Sequence, residues 1–244
     1  MQASISSGKR VLQEELNTDT ENLIIVWYFN YSGGKTLCNM LGLNDQALFM
    51  DKDLAIKQMQ GQFTVEDKMN YIRTELGKMQ KGVFWTDLNL SCDRFMGFKK
   101  EEYVNPWRGL RFNEFVKDVT NSDYKFFHGS HDHRQIEAMM KVWKNPKIIL
   151  MDHVHDFIIK RTKGNPQLKR WLDMLPAFEG ELEKMLQIPN VVYRFDTRAY
   201  ENEEFLLEEV AKLYDILGLP NYNKEYISEY YRLWYNKVEE LKST

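Results

Sequence analysis

The chain has 244 residues, 43% of them hydrophobic and 28% charged, with a net charge of -3. That length and hydrophobic share suffice for a full core in one domain and exclude wholesale disorder, and the near-neutral charge gives no global basic field for nucleic acid. Two distant cysteines, Cys38 and Cys92, define neither a disulfide framework nor a metal spacing, so a reducing, cytoplasmic location is expected. No apolar run approaches the ~18 residues a membrane span needs, and the polar stretch 1–22 has no secretory apolar segment.

In chain order, residues 1–22 read as an N-terminal arm with a short helix at Lys9–Leu16. Leu23–Phe29 is continuously apolar, short and closely followed by glycines, the pattern of a strand buried on both faces. Thr36–Leu43 starts a helix, and Asp45–Gly77 reads as largely helical. Val83–Leu90 is a candidate strand. The aromatic, charged stretch 93–118, broken by Gly97, Pro106 and Gly109, reads as a partly helical insert. Tyr124–His128 is a short strand, and His133–Lys144 carries a helical apolar stripe that Asn145–Pro146 ends. Lys147–Met151 and Val191–Phe195 are further buried strands. Glu203–Leu217 is a helix that Asn202 caps, Glu203 and Glu204 favour at its positive end, and Gly218 closes. Strands alternating with helices predict an α/β fold, three-layer α/β/α with a mainly parallel central sheet of the P-loop NTPase kind. The domain is expected over 23–222, followed by a helical tail at 223–244.

Asn30-Tyr31-Ser32-Gly33-Gly34-Lys35-Thr36 lies between a buried strand and a helix. Two glycines permit a tight turn that aims N–H groups at an anion, and the helix N-terminus adds a partial positive charge. Lys35 adds a full charge and Thr36 a hydroxyl. The complete nucleotide-loop pattern has a further glycine where this chain has Phe29, so the match is partial. The competing reading is a tight strand-to-helix turn with a surface lysine.

All five histidines fall between positions 128 and 155. His128, His131 and His133 follow one strand, His153 and His155 another. In a βαβ unit both strand ends open on the same sheet edge as the Ser32–Thr36 loop, where open α/β sheets bind ligands. Acid/base catalysis, a metal site built from His128, His131, Asp132 and His133 with Asp152, His153, His155 and Asp156, and plain polar loop residues all remain open.

The order of these features resembles the sulfotransferase family, which transfers a sulfuryl group from 3′-phosphoadenosine-5′-phosphosulfate to a hydroxyl or amine. The family's loop, PKSGTTW, falls on Asn30–Thr36: Ser32 and Gly33 coincide, Thr36 is taken as its threonine, and Tyr31 replaces its basic residue while Lys35 supplies charge. Its KTH strand end falls on Phe126-Phe127-His128, and Val191–Leu219 resembles its last strand and the helix before an FLGL-like turn. The resemblance implies His128 as catalytic base and Lys35 as a second catalytic group. It implies donor contacts from Ser32, Gly33, Gly34, Lys35, Thr36 and Leu37, and no metal. One motif departs. Anchoring RNPxDxxxS on Asp156 puts Asp152 at the phosphate-binding arginine and Lys160 at the serine, leaving Lys160, Arg161 and Lys163 to supply charge. The family's later Arg-Lys-Gly motif is not evident after Tyr222.

Two rivals accompany this reading. Gly34-Lys35-Thr36 with a strand ending in Asp152 also suits a P-loop kinase or NTPase, in which Asp152 and Thr36 would hold the Mg²⁺ of ATP. A non-catalytic nucleotide-binding protein would keep the loop without turnover. The acceptor is open, with a sugar or small alcohol in view. The insert 93–118 offers it aromatic rings such as Trp107 and charges such as Arg108, unless those aromatics simply pack on the sheet.

Overall fold

A computed structural model of the chain describes residues 22–29, 32–48, 52–78, 123–130, 136, 140, 145–155, 158–159 and 168–242. The expected arm helix, the strand at Val83–Leu90 and the insert 93–118 lie outside these residues. So does most of the helix expected at His133–Lys144, of which Ile136 is helical and fully buried.

The central strand is β1 (Leu23–Trp27), and all five of its residues are buried. Such a run has no solvent face to spend polar residues on, which is why it reads as continuous LIIVW. It pairs in parallel with β3 (Lys125–Ser130) on one side and β4 (Lys147–Asp152) on the other. The short β2 (Ala47–Leu48) extends the sheet beyond β3 and β5 (Val191–Asp196) extends it beyond β4, both in parallel. The order β2-β3-β1-β4-β5 thus unites the four strands expected from the sequence in one sheet, each within a residue or two of its expected bounds. Since every pairing is parallel, all five carboxyl ends open on one edge.

The stretch Asp45–Gly77 is largely helical, as expected, but it opens on a short strand that the sequence reading lacks. That stretch holds β2 and two helices, α2 (Lys52–Met59) and α3 (Val65–Lys78), after α1 (Gly34–Gly42) has ended. Tertiary contacts override helical spacing here. Lys125 N–H donates to the carbonyl of Gln46, and Gln58 Nε2 donates to the carbonyls of Asp45 and Ala47. The wholly buried Lys68 sends its ammonium to the carbonyls of Gly42, Asn44 and Ala47, at 2.8, 2.5 and 2.6 Å.

A helix absent from the expected set, α4 (Leu168–Met185), connects β4 to β5 despite the internal Pro176. Leu175, Phe178 and Met185 bury one stripe of it, and the Phe178 ring stacks on Trp27 at 4.4 Å between centroids. Next come a 3-10 turn (Thr197–Glu201) and α5 (Glu203–Leu217). Asn202 accepts from the Phe205 N–H, and Gly218 closes the helix at φ 65°, as its sequence signals predict. The last helix, α6 (Lys224–Lys242), buries Ile227, Tyr230, Tyr231, Trp234 and Val238 in the same core. No helix among the described residues is long and apolar enough to cross a membrane.

Lys68 yields a stability prediction. Burial draws its pKa down to about 7, opposed in part by the Asp45 carboxylate. Lys68→Met leaves carbonyl oxygens of a buried turn without their donor, which is expected to cost about 3 kcal/mol in urea unfolding. Between the folded value near 7 and the unfolded value of about 10.4, the unfolded chain binds more protons, so the group's contribution to stability rises with pH through that window. The stability gap between wild type and Lys68→Met should therefore widen from pH 7 to 10. A gap that narrows over that range contradicts the assignment.

Candidate functional site

The chain leaves β1 through Tyr28 and Phe29 and enters α1 at Gly34. Ser32 is fully buried and shapes this turn: its N–H and its hydroxyl both donate to the carbonyl of Phe29, at 3.0 and 2.7 Å. Both donors of Ser32 are thus committed to the fold rather than aimed at a ligand. Gly33 sits at φ 83°, a left-handed value that costs a side-chain-bearing residue 1 kcal/mol or more, roughly, and glycine nothing. Its carbonyl accepts the first bond of α1, from the Leu37 N–H at 3.0 Å, and a second from the Tyr200 hydroxyl at 2.8 Å. A helix leaves the N–H groups of its first turn without an acceptor inside the helix, and in α1 these are the N–H groups of Gly34, Lys35 and Thr36. Lys35 is half-buried there, while Thr36 is 3% exposed. Thr36 lies one place beyond the second threonine of PKSGTTW; the residue in register with that threonine is Lys35.

Gly34 is indispensable for a separate reason. A Cβ on it would lie 2.1 Å from Cγ of Tyr28, and one on Gly129 would lie 3.0 Å from Cε1 of the same ring. Tyr28 therefore wedges between the start of α1 and β3. It brings the loop against the strand that carries His128, whose backbone pairs with Ile25.

The connection leaving β1 leads outward to β2, and the one leaving β4 leads to β5 on the opposite side. The gap between the carboxyl ends of β1 and β4 is thus a topological switch point, the place where open α/β sheets hold ligands. Asp152 and His153 end β4 there. Asp152 Oδ1 accepts from the His153 N–H at 2.8 Å, and Oδ2 is hydrogen-bonded and ion-paired with Arg194 of β5. His153 adopts φ 56°, and its carbonyl and that of Asp152 each accept from the Thr197 hydroxyl at 2.8 Å. At the end of β5, Asp196 accepts from Arg198 Nε at 2.9 Å. Burial raises the Asp196 carboxyl, but hydrogen bonds from Arg198 and the electrostatic influence of His153 and Arg198 outweigh it and hold the group below its ordinary value.

The structure thus gathers loop 32–37 and Asp152–His153 on one edge; His128 does not end its strand as expected, because β3 runs on to Ser130 and His128 pairs with Ile25 two residues inside that edge. Lys160, Arg161, His131, His133 and Asp156 lie outside the described residues. Arg194, Arg198 and Tyr200 were not singled out in the sequence. A cue for the two arginines exists: each sits in a strand-end segment, Arg194-Phe-Asp-Thr-Arg198, with carboxylates at hand on this and the neighbouring strand. Among the described residues no group of three or more His, Cys, Asp or Glu gathers as metal ligands.

No protein-family model matches the chain. No curated protein matches it either. Among solved structures, a chain described as "Sulfotransferase Domain from the Curacin Biosynthetic Pathway" is similar at 12% identity, over 85% of this chain and 77% of that one, with a TM-score of 0.45. A likeness at that level decides neither the fold nor the activity.

The Tyr28 wedge is testable by a double-mutant cycle. Gly34→Ala alone should cost about 3 kcal/mol or more through overpacking. Combined with Tyr28→Ala, which opens the space, its added cost should fall by 1 kcal/mol or more, roughly, measured by denaturant unfolding. Strict additivity would show that the ring does not set the approach of α1.

Proposed function

We propose that this chain is a sulfotransferase-like enzyme, which moves a sulfuryl group from 3′-phosphoadenosine-5′-phosphosulfate to a hydroxyl or amine acceptor, in a three-layer α/β/α domain over 23–222. The observation that carries the reading is the strand–loop–helix at the switch point of a parallel sheet, in which β1 pairs with the strand β3 that holds His128 two residues before its carboxyl end. In this reading the first-turn amides of α1 and the Lys35 ammonium take the donor's 5′-phosphosulfate end. Ser32 and Gly33 shape the turn, Thr36 and Leu37 continue it into the helix, and Lys160 and Arg161 serve the donor's other phosphate. The proposed compartment is the cytoplasm.

The chemistry is an in-line displacement at sulfur. The acceptor oxygen or nitrogen forms a bond to sulfur as the bond from sulfur to the bridging phosphate oxygen breaks, and the nucleotide leaves as adenosine 3′,5′-bisphosphate. The acceptor's proton passes to His128 as general base, a role typically worth about 10²–10⁴-fold in rate. Lys35 stabilises the charge that develops on the bridging oxygen.

Gly34-Lys35-Thr36 keeps a kinase or NTPase in view, but that reading needs Asp152 as a Mg²⁺ ligand. Both oxygens of Asp152 already accept hydrogen bonds, one of them from a guanidinium, which favours the phosphosulfate donor. A binding protein without turnover remains distinguishable by assay alone.

The decisive comparison is thermal stabilisation by adenosine 3′,5′-bisphosphate against ATP, each with and without Mg²⁺. Metal-independent stabilisation by the bisphosphate is expected. Lys35→Ala should weaken that binding about 10–100-fold, the loss of one charge-assisted contact. Given an acceptor that turns over, His128→Ala should cut the rate by at least ~10²-fold with donor affinity near wild type. Stabilisation by ATP only with Mg²⁺, abolished in Asp152→Asn, would transfer the chain to the kinase reading.

A further inference from the structure

We infer that Tyr200 is a positioning residue for the anion loop: its phenol pins the Gly33–Gly34 peptide and thereby aims the Gly34 N–H at the ligand. This inference rests on the proposed function for its ligand, not for its geometry. Tyr200 lies in the turn after β5, 167 residues from Gly33, and is fully buried. Its hydroxyl donates to the Gly33 carbonyl at 2.8 Å, on the same oxygen that accepts the Leu37 N–H at 3.0 Å. A trans peptide points its C=O and N–H in opposite directions, and the described chain has no cis bond. Holding the carbonyl inward by two bonds therefore fixes the Gly34 N–H outward, away from the helix body. Gly33 adopts a left-handed φ of 83°, and the Tyr200 ring fills the space a side chain would take, 2.8 Å from an added Cβ. Burial pushes the phenol well above its ordinary pKa, so it remains a donor at any working pH.

Tyr200 is itself held from behind. The Tyr231 hydroxyl of α6 donates to the Tyr200 carbonyl at 2.9 Å, and the Trp234 and Phe195 rings each lie 5.4 Å from the Tyr200 ring. A route of direct contacts thus runs from the last helix through Tyr200 to the loop. It makes the C-terminal helix part of the loop's support rather than an appendage.

The test is Tyr200→Phe, which keeps the ring and removes one hydrogen bond. Its control is Tyr214→Phe, which removes a buried phenol donating to the Met40 and Leu43 carbonyls at the opposite end of the same helix. In the whole chain without ligand, amide exchange at Leu37, whose N–H shares the Gly33 carbonyl with Tyr200, should speed up about fivefold or more in Tyr200→Phe and stay near wild type in Tyr214→Phe, at temperatures where both are folded. The affinity for adenosine 3′,5′-bisphosphate should fall about fivefold in Tyr200→Phe and not in Tyr214→Phe. Should Tyr200→Phe fail to fold, Tyr231→Phe replaces it, with an expected two- to threefold loss of affinity. Equal losses in the variant and the control, or unchanged exchange at Leu37, overturn the inference. If wild type binds no bisphosphate, the proposed function fails, and the exchange measurement alone decides the role of Tyr200.

Discussion

Gly34 approaches the Tyr28 ring so closely that even a methyl group there would overlap it, and Gly33 has the same relation to Tyr200. These two contacts set where α1 starts and how it points relative to the sheet. Tyr28 immediately follows the central strand and reaches Gly129 as well, so one ring fixes β1, α1 and β3 against each other. Tyr200 follows β5 and reaches the loop from the other direction. The carboxyl edge of the sheet is therefore cross-braced by aromatic residues that meet glycine backbone. A glycine there is required by what lies beside it as much as by its dihedral angles.

The second constraint is charge. Asp152 and Asp196 end adjacent strands at paired positions of the β4–β5 register, and two carboxylates so placed would repel each other and any anion. Each is instead matched with an arginine, Arg194 and Arg198 respectively, so the edge is close to neutral there. The aspartate that the resemblance sets at an arginine position is thus less hostile to phosphate than its sequence implies. Both arginines are about half exposed, so the pairing contributes little to stability while still cancelling charge.

The four principal strands were legible because central strands of a parallel sheet must be apolar on both faces, and α5 because Asn202 and Gly218 mark its ends. β2 was not legible: two residues carry no period, and Ala47–Leu48 becomes a strand only through Lys125, Gln58 and Lys68. Pro176 and Gly180 obscured α4, although Leu172, Leu175, Phe178, Leu182 and Met185 keep helical spacing. In the site, the loop was legible from its glycines and flanking elements. The roles of Tyr28, Tyr200 and Arg194 were not, because each depends on a partner distant in sequence or on a neighbouring strand. Lys68 was hidden for the same reason, since a lysine in a helix reads as solvated until its carbonyl partners are seen.

Lys68 and the loop are linked through α1. A helix carries partial positive charge at its N-terminus and partial negative charge at its C-terminus, and each end seeks a partner. At the C-terminal end of α1 the Lys68 ammonium meets the Gly42 carbonyl and the Tyr214 hydroxyl meets those of Met40 and Leu43. That end is already satisfied inside the fold. The N-terminal end has Lys35 rather than a carboxylate in its first turn, and no acidic residue there to compensate the dipole. Protein groups thus answer the C-terminal end of α1, while its N-terminal end, where the dipole is positive, lies at the switch point of the sheet.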